Sequence, residues 1–133
     1  IQRIRFNERV DLQIDSPPEA FREMPIPKLC MQPIAENAYK YAFANKEEGG
    51  VFRVRYFAEG DNLRIEFDDN GDIGDKQIEE LSEKLINPEE TSGLVNVSRR
   101  LLHYAGGRGE LFVKRSDIGG LKVTIYLCSQ REE

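Results

Sequence analysis

Two runs of alternating residues either side of a polar turn constrain this chain most. Phe52, Val54 and Tyr56 alternate with Arg53 and Arg55; beyond Ala58-Glu59-Gly60-Asp61-Asn62, Leu63, Ile65 and Phe67 alternate with Arg64 and Glu66. A period of two sends successive side chains to opposite faces of a strand, so the runs predict an antiparallel hairpin. Its apolar face needs a covering layer, and its arginines face outward.

The rest of the chain offers that layer. Arg9–Asp15 alternates too, with Val10, Leu12 and Ile14 on one side, and reads as another half-buried strand. Prolines at 17, 18, 25 and 27 make the next stretch irregular. Pro27 then suits the first turn of a helix, and Leu29, Cys30, Ile34, Ala38 and Ala42 recur at helical spacing through Phe43. Ile78, Leu81 and Leu85 form one stripe of a short helix over 76–85. Leu94, Val97, Leu101 and Tyr104 form the apolar face of another over 94–104. Strands over 110–114 and 122–127 close the chain. The order is strand, helix, strand, strand, helix, helix, strand, strand. That is an α+β, two-layer fold, with a mixed, mostly antiparallel sheet and helices on one face. A length of 133 residues predicts a single domain over 1–133.

The charge sum of 19 − 24 = −5 argues against a partner presenting a nucleic-acid backbone. It leaves open a small polyanion, which needs only local donors or a metal. No apolar run is long enough for a helix to span a bilayer, and no leader pattern opens the chain. Cys30 and Cys128 match neither a disulfide framework nor a zinc motif and read as buried thiols. The first residue is Ile1 rather than Met, so the chain reads as a piece of a longer protein.

Three polar insertions interrupt the regular elements. Glu36, Asn37 and Lys40 share one helical face, opposite Cys30, Ile34 and Ala38. They read either as a solvated face with a Glu–Lys pair or as a carboxylate, an amide oxygen and an ammonium aimed into one cleft. An amide oxygen suits Mg²⁺ and a lysine suits phosphate. Asp68-Asp69-Asn70-Gly71-Asp72-Ile73-Gly74 follows a strand directly. It reads as a turn, or as a strand-end acid with glycines that let a ligand approach the backbone. An ionised Asp only accepts hydrogen bonds, so it would take the exocyclic amine of adenine and repel the carbonyl of guanine. Thr91-Ser92-Gly93-Leu94 opens a helix, as a cap or as a phosphate-binding end. No GxxxxGK[ST] or GxGxxG motif is present.

Together these strings resemble the catalytic ATP-binding domain of sensor histidine kinases of the LytS/YesM type, members of the GHKL superfamily with the Bergerat fold. IPKLCMQPIAENAYKYAF is similar to their N-box helix, IEFDDNG to the strand entering the first glycine box, and SGLVNVSRRLLHYAG to the second. GELFVKRSDIGGLKVTIYL resembles the closing strand pair. The resemblance implies ATP and Mg²⁺ as cofactors and transfer of the γ-phosphoryl group to a histidine. Asn37 would hold the Mg²⁺, Glu36 would act on the accepting group, and Lys40 would approach the phosphates. Tyr41 would line the nucleotide site. Asp69 would accept the adenine amine, Gly71 and Gly74 would admit the base, and Ser92, Gly93 and Leu94 would hold phosphate. Residues from about 75 to 92 would be the ATP lid. The implied partners are an upstream histidine-containing dimerisation domain of the same protein and a response regulator. The full-length protein would be a membrane-anchored homodimer with this domain in the cytoplasm.

The chain departs from the family pattern at four points. Tyr41 stands where His is usual, DNGDIG replaces DNGxG, TSGL replaces GxGL, and Gly120-Leu121 replaces Gly-Thr before the last strand. The alternative is a GHKL-type nucleotide-binding or interaction module without kinase activity.

Overall fold

The computed structural model describes residues 2–7, 10–15, 34–38, 43, 49–60, 62–87, 89, 93–101 and 107–129. Six strands form one sheet in the order β1-β2-β3-β4-β6-β5. They are β1 (Gln2–Asn7), β2 (Val10–Ile14), β3 (Gly50–Glu59), β4 (Asn62–Asp69), β5 (Gly107–Arg115) and β6 (Leu121–Ser129). Residues 34–38 are helical and are here called α1; α2 spans Asp75–Ile86 and α3 spans Gly93–Leu101.

The sheet is mixed and mostly antiparallel, with helices on one face, as its sequence pattern predicts. Its parallel pair is β2 with β3, at Leu12↔Phe52 and Ile14↔Val54. Parallel neighbours cannot be joined by a tight turn, and here the connection contains α1. In the central hairpin Glu59 pairs with Asn62. The turn is therefore only Gly60-Asp61, shorter than the polar stretch predicts, and Gly60 has φ +64. That left-handed conformation is what two-residue hairpin loops require.

Strand β1 is an addition to the sequence reading. It pairs antiparallel with β2, Ile4 opposite Leu12. Strands β5 and β6 also run further than their side-chain period shows, because the ladder continues through Gly109 and Gly107, opposite Leu127 and Ser129.

The core lies between the sheet's inner face and the helices. Val54, Leu63, Ile65, Phe67, Val123, Ile125 and Leu127 meet Ile34, Ala38, Ile78, Leu94 and Val97. Leu81 and Leu85 pack at its margin. Burying each large aliphatic side chain is worth about 1.5–3 kcal/mol, so Ile78 on α2 and Leu94 and Val97 on α3 are what anchor these helices; the Leu101 side chain, also on the predicted α3 stripe, lies outside what the structure describes. Helix α3 also buries Val95, which lies off its predicted stripe. Cys128 is exposed, correcting its reading as a buried thiol. Val123, Ile125 and Leu127 take the inward parity of β6, which leaves Cys128 facing out. Cys30, Tyr104 and His103 lie outside the described residues.

The outer face of the sheet carries a charge lattice set by strand register. Arg53 lies opposite Asp68 and Arg55 opposite Glu66, while Lys122 lies on the other side of Asp68. The Asp68 side chain is 0% exposed. It accepts a hydrogen bond from Ser116 Oγ at 2.7 Å and faces Arg55, Arg53 and Lys122 at 3.1, 3.4 and 3.7 Å. Glu66 contacts Lys122, Arg55 and Arg64 at 3.0, 3.1 and 3.3 Å. These cations stay partly in water, so each pair adds little alone; their collective effect is to make burial of two carboxylates tolerable. Arg64 also lies 4.4 Å from the Phe57 ring centroid. At the lattice edge, slight desolvation of the Asp117 carboxyl is outweighed by the charge and hydrogen bond of Arg53, which hold it below the usual carboxylate value.

Candidate functional site

The site is built where β4 ends. Asp69 continues the inward row of Leu63, Ile65 and Phe67, so its carboxylate leaves the core on the helix side of the sheet. It is 4% exposed. Its Oδ1 accepts the N–H groups of Gly71 at 3.0 Å and Leu121 at 3.1 Å. Its main-chain oxygen accepts the N–H of Gly120 at 3.1 Å. Asp69 is thus oriented from two directions, by its own loop and by the start of β6.

Gly120 is required for this arrangement. A Cβ there would lie 2.5 Å from the Asp69 main-chain oxygen and 2.7 Å from the Gly71 nitrogen, and it would overlap Asp69 Oδ1. Asn70 ties the other side of the loop to β3. Its Oδ1 accepts the Val51 N–H at 2.8 Å, and its Nδ2 donates to the Gly49 carbonyl at 2.8 Å. Gly71, between these anchors, is buried. Gly74 is exposed and caps α2: its N–H donates to Gln77 Oε1 at 2.8 Å, and its carbonyl accepts from Ile78 at 3.1 Å.

Of helix α1 the structure describes residues 34–38. Ile34 and Ala38 are buried, Asn37 is half-buried and Glu36 is exposed. The helix widens at Ala38, whose carbonyl accepts the N–H of Phe43 at 3.2 Å, five residues on. Helix α3 starts at Gly93, with Leu94 buried in the core. The first N–H groups of a helix have no partner within it and favour negative charge. Lys40, Tyr41, Thr91 and Ser92 lie outside the described residues. The contacts join Asp69 directly to Gly71 and to Gly120-Leu121. Glu36 and Asn37 on α1 and Gly93-Leu94 on α3 stand on the same helix-bearing side of the sheet. Among the described residues no cluster of His, Cys, Asp or Glu could hold a metal by itself.

No family model matches the chain. It is 27% identical to the sensor protein LytS of Enterococcus faecalis over 100% of this chain and 23% of LytS. It is 29% identical to the sensor histidine kinase YpdA of Escherichia coli over 98% of this chain and 22% of that protein. Among solved structures, the ATP-binding domain of PrrB from Mycobacterium tuberculosis matches with a TM-score of 0.61 and 13% identity, over 95% of this chain and 84% of that one. The chain is similar over its whole length to one part of the LytS-type sensor kinases. Its fold is that of a histidine-kinase ATP-binding domain. It spans about a quarter of the length of the LytS and YpdA relatives.

Positions at which the chain departs from the LytS-type pattern make main-chain contacts around Asp69 and Arg115. Leu121 lacks a hydroxyl, but its main-chain N–H still reaches Asp69. Ile73, standing in for a glycine, offers its carbonyl to Arg115 at 2.8 Å. Sequence reasoning did not single out Asn70, Arg115 or Ser116. The Gly119-Gly120 pair lies in the β5–β6 turn, where only Gly119, at φ +109, takes a left-handed backbone. Gly120 is a glycine because another strand's carboxylate fills the space.

Proposed function

We propose that this domain binds ATP with Mg²⁺ and transfers the γ-phosphoryl group to a histidine on an upstream dimerisation domain of the same protein. The observation that carries the reading is Asp69: a buried carboxylate at a strand end, oriented by two main-chain N–H groups, beside a glycine loop. Such a group accepts the exocyclic amine of adenine and repels the guanine carbonyl. Gly71 and Gly74 leave the loop bare for the base. The N–H groups at Gly93 and Leu94, with Ser92, would receive phosphate, and Tyr41 would contribute to nucleotide binding.

The residues present fit a magnesium ion only in company. With no acidic cluster among the described residues, the half-buried Asn37 amide oxygen supplies one ligand, and substrate phosphates and water supply the rest, as this ion commonly accepts. Bound there, the ion would neutralise phosphate charge. Phosphoryl transfer asks little covalent chemistry of the protein, so the residues act by position. Glu36, exposed on α1, accepts or orients the proton of the acceptor imidazole, and Lys40 offsets phosphate charge. The segment from about 75 to 92, of which α2 forms most, is the lid. The further partners are a response regulator and a second copy in a homodimer, with the domain cytoplasmic and the whole protein membrane-anchored.

The test is a longer chain with the upstream histidine domain restored. With Mg-ATP it should gain phosphate that is acid-labile and base-stable, as on a histidine. Glu36→Gln should slow the transfer by about a hundredfold, within the range for a general base, with ATP still bound. Nucleotide binding without any transfer would overturn the kinase reading in favour of a binding module.

A further inference from the structure

We propose that Arg115 is a positioning residue for the nucleotide site, a latch from the end of β5 that tethers the far end of the loop after Asp69. The inference rests on the ATP-binding reading above. Arg115 Nη1 donates to the Ile73 carbonyl at 2.8 Å and to the Gly119 carbonyl at 2.9 Å. Its Nη2 pairs with Asp75, the first residue of α2, at 2.5 Å. One guanidinium thus ties together the glycine loop, the start of the lid helix and the β5–β6 turn.

The loop's near end is already fixed, by Gly71 on Asp69 and by Asn70 on β3. Its far end lies past the exposed Asp72. The Gly74–Gln77 cap is internal to α2 and does not tie that end to the sheet. Arg115 does. Gly119 belongs to the turn whose next residues, Gly120 and Leu121, orient Asp69. The latch therefore sets the distance between the adenine-accepting carboxylate and the loop that would lie along the base. Ile73 stands where the family pattern has its second glycine, and its carbonyl is the one gripped.

The weight falls on the carbonyls. Asp75 is 94% exposed, and an ion pair in water contributes little. Hydrogen bonds from a charged donor to carbonyls are stronger, and the planar fork of arginine reaches several acceptors at once where a lysine cannot. A loop held in its binding shape spares the ligand the cost of ordering it.

The test uses the whole chain, with Mg-ATP titration and amide hydrogen exchange without nucleotide. Arg115→Met should weaken Mg-ATP binding by about tenfold, as for the loss of one charge-assisted hydrogen bond. It should also speed exchange at residues 73–78 and leave β3 and β4 unchanged. Arg115→Lys should recover only part of the affinity, and Asp75→Asn should stay within about twofold of wild type. Wild-type affinity in Arg115→Met, or faster exchange spread evenly through the domain, would overturn the latch. Should the wild-type chain bind no nucleotide, the ATP reading falls. Exchange then judges the latch alone: acceleration confined to 73–78 upholds the tether, and none removes it.

Discussion

Asp69→Asn is expected to weaken Mg-ATP binding by about a hundredfold, the loss of two or more good polar contacts, with the fold retained. The substituted amide keeps an oxygen that can accept the Gly71 and Leu121 N–H groups, now bonded at 3.0 and 3.1 Å. What changes is the charge and the other arm of the side chain. An amide nitrogen set against the adenine amine opposes two donors in a site closed to water, and each is left unsatisfied. Facing guanine, that nitrogen meets a carbonyl it can satisfy. The ratio of ATP to GTP affinity should therefore collapse, a change that general loosening of the domain would not produce. Parallel titrations with the two nucleotides measure it. An Asp69→Asn variant that binds ATP within about threefold of wild type, a difference under 1 kcal/mol, would remove Asp69 from the adenine contact.

Gly120→Ala should have the largest effect on stability, about 3 kcal/mol. Its Cβ would stand 2.5 Å from the Asp69 main-chain oxygen and 2.7 Å from the Gly71 nitrogen. Both are backbone atoms and cannot swing aside. Relief requires the turn to back away from β4, which breaks the Gly120–Asp69 and Leu121–Asp69 hydrogen bonds, each 3.1 Å long. Overpacking costs about 1–3 kcal/mol and each hydrogen bond adds about 1 kcal/mol. The unfolding midpoint should fall by roughly 10 °C for a domain of this size. Gly119→Ala is the control. Its Cβ would meet nothing within 4 Å, so only the φ of +109 is penalised, by about 1–2 kcal/mol. Thermal unfolding of the two variants compares a spatial with a conformational demand on neighbouring glycines. A Gly120→Ala midpoint within about 2 °C of wild type would show that the turn is free to move.

Local period explains how much could be read in advance. The β3–β4 hairpin and the buried positions of α2 follow from spacing alone, because parity and helical pitch fix which side chains face the core. Parity also places Asp69 on the inner face, in the row of Leu63, Ile65 and Phe67. The same rule, applied to Val123, Ile125 and Leu127, turns Cys128 outward. Strand β1 escaped because Ile4 and Phe6 alone carry its alternation. Features that depend on pairing between distant segments were not legible. Asp68 reads as a turn residue, yet its burial follows from Arg53, Arg55 and Lys122 arriving beside it from two other strands. Gly120 enters the sequence reading only as the residue before Leu121 in the family comparison, yet its constraint comes from Asp69, and Arg115 and Asp75 meet across 40 residues of chain. The glycine boxes depart from the family pattern in their side chains. The contact of Leu121 with Asp69 is made by the main chain, which survives a change of side chain.

Titration of the wild-type domain with ATP in the presence of Mg²⁺, followed by calorimetry, tests the central claim most directly. Saturable binding to one site at micromolar to millimolar nucleotide, lost on removing Mg²⁺ or on Asp69→Asn and much weaker for GTP, is the expected result. An absence of heat and of saturation at several millimolar Mg-ATP would contradict it, and would leave Asp69, Gly71 and Gly120 as a structural joint between β4 and β6.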